Sequence, residues 1–230
     1  MVKTLAESLA DVRSRIEAAA RKAGRASADV RLMAVTKGFP REVVQEALGA
    51  GLSLFGENRV QEAEAKFADL PVPCETHLIG HLQTNKARAA AALFACVQSI
   101  DSMHTAEALD ARCAERGAPI DVLLELNTSG EDSKSGFRTC DELLAGLDAV
   151  RKLPLLRLKG LMTVGPLTDD PQKIRAAFAQ LRSLFDEVRP GLSGFDTLSM
   201  GMSGDFELAI EEGSTLVRLG TALFGIRGTR

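Results

Sequence analysis

The sequence predicts a single (β/α)8 barrel of the TIM type over residues 1–230, with one extra helix at the N-terminus. Eight short apolar runs alternate with amphipathic helical patterns at intervals of about 20 to 35 residues, and parallel neighbouring strands need crossovers of this size. The length is close to the roughly 250 residues typical of such barrels, and no linker rich in Pro, Gly or Ser divides the chain. An open doubly wound sheet is the alternative.

The extra N-terminal helix is predicted by apolar residues at helical spacing. Leu5, Leu9, Val12 and Ile16 would share one face, and Gly24 supplies a stop, so the first 23 residues form an amphipathic helix. This segment lacks the apolar stretch of a signal peptide, and no later segment has 18 uninterrupted apolar residues. We therefore expect a cytoplasmic protein that does not span a membrane.

The eight apolar runs have the length of strands and are bounded by polar or turn-forming residues. They cover residues 31–36, 52–56, 75–80, 95–100, 120–127, 156–163, 196–200 and 215–219. Two helix starts between them have recognisable caps, because Thr139 with Glu142 has the pattern of a capping box and Asp170 precedes Pro171 at a first helical position. These signals place strands and helices in alternation.

Composition narrows the classes of function. Charged residues make up 26% of the chain and the net charge is −3, which favours neither nucleic acid nor a membrane as partner. The four cysteines have no CxxC spacing and no His at ligand spacing, so they predict buried thiols in a reducing compartment and no metal site. The chain contains no Tyr and no Trp, which excludes any mechanism that needs a phenolic acid or base.

The first candidate site residue is a lysine at the end of the first apolar run. Active sites of these barrels lie at the C-terminal ends of the strands, and Lys37 follows the first run in "AVTK". In a walled pocket, loss of solvation lowers the pKa of a Lys and makes its amine available to attack a carbonyl, which is Schiff-base chemistry. The alternative is a solvated loop lysine.

Two glycine-bearing stretches follow the last two strands, "LSMGMSGDFELAI" and "RLGTALFG". Backbone N–H groups at Gly220 and Thr221 are reachable because glycine has no side chain, and such groups bind phosphate. Barrels often place a phosphate site in the loops after strands seven and eight. Glycines with a purely structural role are the alternative.

Arg218, in the last strand, either pairs with a carboxylate or faces the pocket. Pyridoxal phosphate (PLP) has an aldehyde for Lys37, a phosphate for the loops and a ring nitrogen that a protein donor can approach. An Arg stays protonated, so it donates to that nitrogen without protonating it, and the ring would then be a poor electron sink. These residues point to PLP as the cofactor.

Seven ordered stretches resemble the motifs of the pyridoxal phosphate homeostasis protein family. They are "AVTK", "FGENRVQE", "HLIGHLQTNK", "LNTSGEDSKSGF", "GLMTVGP", "LSMGMSGDFELAI" and "GSTLVRLGTALFG". The resemblance as a whole covers about residues 5–227. The resemblance implies the barrel domain of alanine racemase standing alone, in a cytosolic, mostly monomeric protein that buffers and delivers PLP without an established enzymatic activity.

The resemblance also implies a role for each matching position. Lys37 would form the Schiff base, Arg218 would face the pyridine nitrogen, Ser203, Gly220 and Thr221 would hold the phosphate, and Asn58, Met162 and Met200 would lie beside the ring. The chain departs from the family pattern at other positions. Arg59 and Thr229 stand where the family often has Tyr, and Phe39 stands where a second Lys sometimes occurs.

Barrel racemases related to this family use two bases, the Lys and a Tyr from a second domain, and this sequence has no Tyr. His81 lies at a plausible strand end, where a structural hydrogen bond is its expected role. We therefore expect a PLP homeostasis protein without efficient catalysis, which makes transient contact with apo PLP-dependent enzymes. A weak amino-acid racemase, or an aldolase in which Lys37 attacks a sugar phosphate directly, is the alternative.

A second amine lies in the loop "SGEDSKSGF", at Lys134. The Ser, Gly and acidic residues around it predict an exposed, mobile loop, so Lys134 could receive the cofactor from Lys37 during release. A solvated lysine, or one in a single salt bridge, is the alternative.

Overall fold

The structure is a computed structural model that describes residues 3–70 and 73–226. Its strands are β1 Arg31–Val35, β2 Leu54–Glu57, β3 Glu75–Leu78, β4 Cys96–Ile100, β5 Ile120–Glu125, β6 Leu156–Met162, β7 Thr197–Ser199 and β8 Leu216–Leu219. Each strand pairs in parallel with the next, and β8 pairs with β1 to close the barrel. The predicted (β/α)8 barrel is confirmed, and the open doubly wound sheet is wrong.

The predicted strand limits differ from the observed ones mainly at the C-terminal ends. β1, β3, β5, β6 and β7 each end one or two residues earlier than predicted, because the chain leaves the sheet there to form the loops. β2 is the exception, since it continues to Glu57, whose acidic side chain is buried. An apolar pattern does not predict a buried carboxylate as the last residue of a strand.

The helices are α1 Leu5–Lys22, α2 Arg41–Gly49, α3 Val60–Phe67, α4 Ala87–Leu93, α5 Met103–Arg116, α6 Cys140–Val150, α7 Pro171–Val188, α8 Phe206–Glu211 and α9 Thr221–Phe224. Short 3₁₀ turns cover Ser27–Asp29, Thr84–Lys86 and Arg189–Gly191. In the described segments, no helix is long and apolar enough to cross a bilayer.

The helix caps agree with the sequence at one site and differ at another. Asp170 caps α7, which starts at Pro171 as predicted. At α6, the Thr139 hydroxyl accepts the Glu142 N–H. The Glu142 carboxylate accepts the N–H of Arg138 instead of the N–H of Thr139 that a capping box requires. The predicted capping box is therefore only half formed.

The extra N-terminal helix is confirmed, and α1 lies against α8 and α9. Val12 and Ala20 on its inner face are fully buried. The Arg15 guanidinium lies 4.6 Å from the ring centroid of Phe206 and pairs with Glu207, both on α8. α1 thus fixes the two short helices whose preceding loops end at the C-terminal face of the barrel.

Candidate cofactor site at the C-terminal end of the barrel

A cavity of about 350 Å³ opens where β1 and β8 end. Its lining in the described residues is Val35, Lys37, Phe39, Ile79, Met202, Ser203, Gly204, Arg218, Gly220 and Thr221. Five predicted site residues, Lys37, Ser203, Arg218, Gly220 and Thr221, therefore meet from opposite ends of the sequence. A larger cavity, about 720 Å³, lies against α1 near the N-terminal ends of β1 and β2, and no lysine is found in its described lining. The smaller cavity is the candidate site.

Three other predicted residues lie outside the described cavity lining. Asn58 lines a separate depression of about 560 Å³, together with Arg59 and His81. The side chains of Met162 and Met200 are fully buried in the core. The contacts of these three residues with a cofactor ring stay predictions.

The three residues that depart from the family pattern lie in different parts of the chain. Phe39 lines the cavity, and its ring centroid lies 5.4 Å from that of Phe224, so it contributes an apolar wall. Arg59 is exposed and precedes α3 as its N-cap residue. Thr229 lies outside the described residues.

Lys37 belongs to a tight turn that follows β1. Gly38 has a φ of 73°, a left-handed conformation that glycine adopts without steric cost. The Phe39 N–H donates to Thr36 O at 3.0 Å and closes the turn. The chain therefore reverses direction directly after Lys37, and the lysine side chain lines the cavity.

Arg218 lies in the barrel interior with 4% of its surface exposed. Nη1 donates to Ser199 Oγ and Nη2 donates to Thr163 O, each at 2.7 Å. Among the described residues, no carboxylate lies within ion-pair distance of it. Burial lowers the pKa of Arg218 to about 10, while the charges of Glu125 and Asp205 act to raise it, so the guanidinium stays protonated at neutral pH. Hydrogen bonds to neutral oxygens, and no direct carboxylate pair, fix this side chain.

A chain of neutral side chains continues from Ser199 across the barrel. Ser199 Oγ lies 2.6 Å from Gln98 Oε1, Gln98 Nε2 lies 2.7 Å from His77 Nδ1, and His77 Nε2 lies 2.7 Å from Glu75 Oε1. Because β4 and β7 are not neighbours, the bond between Gln98 and Ser199 crosses the interior. With the His77 proton placed on Nε2, Gln98 Nε2 donates to His77 Nδ1, and His77 Nε2 donates to Glu75 Oε1. We call Ser199, Gln98 and His77 the polar relay.

Two buried carboxyl groups act electrostatically on Arg218. Burial raises the pKa of Glu125 to about 7, with Asp101 adding to the rise and Arg218 opposing it. Burial also raises the pKa of Asp205, whose Oδ1 accepts the N–H of Met202 at 2.6 Å. Glu125 therefore exchanges a proton close to neutral pH at the end of β5.

The two loops that end at the cavity are joined, because Ser203 Oγ accepts the Ala222 N–H at 3.0 Å. Over residues 3–70 and 73–226, the N–H groups of Ser203, Gly204 and Thr221 have no protein acceptor. A Cβ on Gly220 would lie 3.1 Å from a β1 carbonyl oxygen, so glycine lets this segment approach β1 closely. Unpaired N–H groups beside two hydroxyls suit an anion such as phosphate.

His81 and Lys134 lie outside the described cavity lining. His81 Nδ1 lies 2.6 Å from Asp101 Oδ2, the kind of structural bond expected for it. Lys134 Nζ donates to Glu131 Oε1 and to Gly165 O, each at 2.7 Å. The salt bridge that was the alternative for Lys134 is observed, and its role in cofactor release stays a prediction.

Sequence reasoning missed the polar residues buried inside elements, namely Glu57, Lys66, Gln98 and Glu125. A signal was present for two of them, since Gln98 interrupts "ACVQSI" and Glu125 interrupts "VLLELN". A polar side chain in a buried strand needs a partner, so such positions indicate an internal network.

The part of the chain that the structure describes has no group of three or more His, Cys, Asp or Glu placed to hold a metal ion.

Comparison with known proteins places this geometry in one family. The family model described as "Alanine racemase, N-terminal domain" matches residues 8–228. The chain is 47% identical to the pyridoxal phosphate homeostasis protein of Pseudomonas aeruginosa, over 98% of this chain and 97% of the relative. It is 42% identical to that of Escherichia coli K12, over 97% of both chains.

Solved structures agree with this assignment. PipY of Synechococcus elongatus, solved with PLP bound, is 37% identical, with a TM-score of 0.83 over 96% of this chain and 100% of that chain. Alanine racemase of Clostridium difficile is 15% identical, with a TM-score of 0.75 over 94% of this chain and 56% of that chain, which shows a shared fold. The chain therefore belongs to the pyridoxal phosphate homeostasis protein family, with the fold of the alanine racemase N-terminal domain.

Proposed function

We propose that this protein binds PLP, holds it as a Schiff base on Lys37 and serves PLP homeostasis and delivery without efficient catalysis. The observation that carries the proposal is the cavity in which Lys37, Arg218 and the backbone N–H groups of the last two loops meet. The PLP-bound structure of PipY, at 37% identity, supports the same ligand.

The residues present fit the three functional groups of PLP, which supplies an aldehyde, a phosphate and a pyridine nitrogen when bound. Lys37 would hold PLP through its aldehyde, because an amine condenses with an aldehyde to a Schiff base and releases the oxygen as water. The N–H groups of Ser203, Gly204 and Thr221 donate to the phosphate, and Gly220 lets this loop approach β1 closely.

Arg218 donates to the ring nitrogen in this proposal. It is protonated at neutral pH and its proton is not transferred, because its pKa stays near 10. The ring nitrogen then remains a hydrogen-bond acceptor, which weakens the withdrawal of electrons that racemases need. We place Asn58, Met162 and Met200 beside the ring, as their family positions imply.

A weak amino-acid racemase is the second candidate, and Glu125 is the observation that favours it. A racemase needs a group that exchanges protons near neutral pH, and burial raises the pKa of Glu125 at the end of β5 to about 7. Glu125 does not line the described cavity, so this candidate stays second. Interconversion of amino-acid enantiomers by the purified protein, lost in both Glu125→Gln and Lys37→Ala, would replace the carrier proposal with this one.

Loading with PLP followed by dialysis tests the carrier proposal. We expect the wild type to retain one PLP per chain and its absorption band, and Lys37→Ala to lose both. Lys86→Ala is the matched control, since Lys86 is a half-buried lysine that lines the neighbouring depression and not the cavity. Retention of the band by Lys37→Ala, or its loss in Lys86→Ala alone, would contradict the proposal.

We further propose a monomer that hands PLP to apo PLP-dependent enzymes during transient contact. Direct transfer predicts that an apo-enzyme mixed with the loaded protein gains activity faster than the loaded protein releases PLP to a trapping reagent. Transfer no faster than release would indicate delivery through solution.

A further inference from the structure

We propose that three charged residues behind the turn after β1, Glu57, Lys66 and Glu62, position Lys37 for its reaction with the cofactor. We call them the ionic cluster. The inference rests on the proposed function, because it assigns the cluster a task only if Lys37 is the reacting amine. None of the three lines the described cavity, so they are positioning residues that act through the backbone of the turn.

The ionic cluster holds the peptide group on the N-terminal side of Lys37. Lys66 Nζ donates to Thr36 O at 2.6 Å, and Thr36 Oγ1 donates to Glu57 Oε1 at 2.6 Å. Both partners come from the β2–α3 unit, since Glu57 ends β2 and Lys66 lies on α3. The second strand and its helix therefore fix the carbonyl and the side chain of the residue before the lysine.

The peptide group on the C-terminal side of Lys37 is held as well. The Gly38 N–H donates to the Glu62 carboxylate. The next residue, Phe39, is buried against Phe224, so the turn has an ionic restraint on one side and an apolar one on the other. The Cα of Lys37 is fixed from both directions along the chain.

Lys66 is held as a cation by three acceptors. Only 5% of its surface is exposed. Nζ donates to Thr36 O, to Glu57 Oε1 at 2.9 Å and to Glu62 Oε1 at 2.7 Å. An ammonium has three donors and no acceptor, so each N–H has a partner. Lys66 is therefore a positioning cation rather than a second amine that competes for the aldehyde.

Stability alone does not account for this cluster. Glu57 is fully buried, burial raises its pKa, and no hydrogen-bond partner of its Oε2 is found in the described residues. Apolar residues of similar volume often replace a buried ion pair without loss of stability. The charged residues add directional bonds to three groups of a single turn, which apolar side chains cannot provide.

The restraint matters because attack on an aldehyde depends strongly on geometry. A displacement of about 1 Å from the productive position can reduce a rate by about 100-fold. The loops proposed to hold the phosphate come from other elements, the segments before α8 and α9. Loosening the turn should therefore slow the covalent step and leave phosphate binding unchanged.

Stopped-flow absorbance after mixing apo-protein with PLP tests the inference. Glu62→Ala removes the acceptor of the Gly38 N–H, and we expect Schiff-base formation to slow by about tenfold or more. Glu62→Gln keeps an acceptor oxygen and should restore most of the wild-type rate. Thr36→Val, which removes the hydroxyl bonded to Glu57, is a second variant with the same expected direction.

Two controls separate positioning from general damage. Glu212→Ala breaks an ion pair with Arg175, and the Glu212 side chain is 25% exposed against 26% for Glu62, so it should react like the wild type. Pyridoxine 5′-phosphate, which has no aldehyde, should bind to Glu62→Ala with unchanged affinity.

The possible results are distinguishable. Wild-type rates in both Glu62→Ala and Thr36→Val would overturn the inference and leave the proposed function intact. Equal loss of pyridoxine 5′-phosphate binding in these variants would also overturn it, because the whole cavity would then depend on the turn. A wild-type protein that forms no Schiff base would overturn the proposed function itself.

Discussion

The two arms of the candidate site, Lys37 and Arg218, are supported in opposite ways. Behind Lys37, the ionic cluster uses three charged side chains, and they bind the backbone and hydroxyl of the turn. Behind Arg218, the polar relay uses neutral side chains, and it binds the guanidinium itself. One arm is placed through its backbone and the other through its side chain.

The difference follows from what each arm is proposed to do. Backbone contacts place the Cα of Lys37, from which its long side chain reaches the cavity. Arg218 has only to donate a hydrogen bond to the ring nitrogen, so Nη1 and Nη2 can also be held by Ser199 and Thr163. When one residue of the ionic cluster is removed, a buried charge is left without its counter-charge. When one residue of the polar relay is removed, only neutral polar groups are left without hydrogen-bond partners.

Lys66→Met should have the largest effect on stability, because it leaves the buried Glu57 carboxylate without its counter-charge. We expect a loss of about 3–5 kcal/mol in the free energy of unfolding, measured by urea denaturation. The double variant Glu57→Leu/Lys66→Met removes both charges and should recover much of that loss. Equal losses in the single and double variants would show that packing, and not charge, supports this arm.

Glu125→Gln should have the next largest effect, as a change in pH dependence. Burial raises the pKa of Glu125 from 4.5 to about 7. A carboxyl with a raised pKa stabilises the fold fully below 4.5, and this contribution is lost as the pH rises through 7. At about 1.4 kcal/mol per pKa unit, the loss is about 3 kcal/mol.

The comparison of unfolding curves across pH checks this prediction. Between about pH 4.5 and pH 7, the free energy of unfolding of the wild type should fall relative to that of Glu125→Gln. Parallel curves for the two proteins would mean that the pKa of Glu125 is not raised, because the charge of Arg218 would then offset the cost of burying this carboxylate.

Gln98→Leu should have a smaller effect than Lys66→Met. It breaks the polar relay, because His77 Nδ1 loses its donor and the Ser199 O–H loses its acceptor. Unpaired neutral groups of this kind cost about 1–3 kcal/mol, to be measured by urea denaturation. A loss as large as that of Lys66→Met would remove the distinction between ionic and neutral support.

Lys22→Ala should have the smallest effect and sets the scale for an ion pair at the surface. Lys22 Nζ lies 2.8 Å from Glu211 Oε1, but the Lys22 side chain is 68% exposed. Such a pair contributes about 0–1 kcal/mol, and the contribution should fall with added salt. A loss close to that of Lys66→Met would show that burial is not what makes the ionic cluster strong.

The sequence was sufficient to predict the barrel and the residues that follow its strands. Lys37 and Arg218 lie at the ends of clear apolar runs, and strand ends of one barrel meet at one face. Their convergence on one cavity could be predicted without knowing any contact. The predicted strand limits were less accurate, because polar residues such as Glu57 extend the sheet where an apolar pattern ends.

The supporting networks could not be predicted from the sequence. Lys66 lies four residues after Glu62 on a helix, a spacing typical of exposed pairs, yet it is buried and bonds to Thr36 O of the turn after β1. Gln98 and Ser199 bond across the barrel, and which strands face each other depends on barrel closure and stagger rather than on local pattern.

The central claim is that Lys37 holds PLP covalently opposite Arg218, and locating the bound group tests it most directly. PLP-loaded protein is reduced with borohydride, digested and mapped by mass spectrometry. We predict one pyridoxyl group per chain, on Lys37, and none after Lys37→Ala. A pyridoxyl group on Lys66 or Lys134, or an unmodified wild-type protein, would contradict the claim.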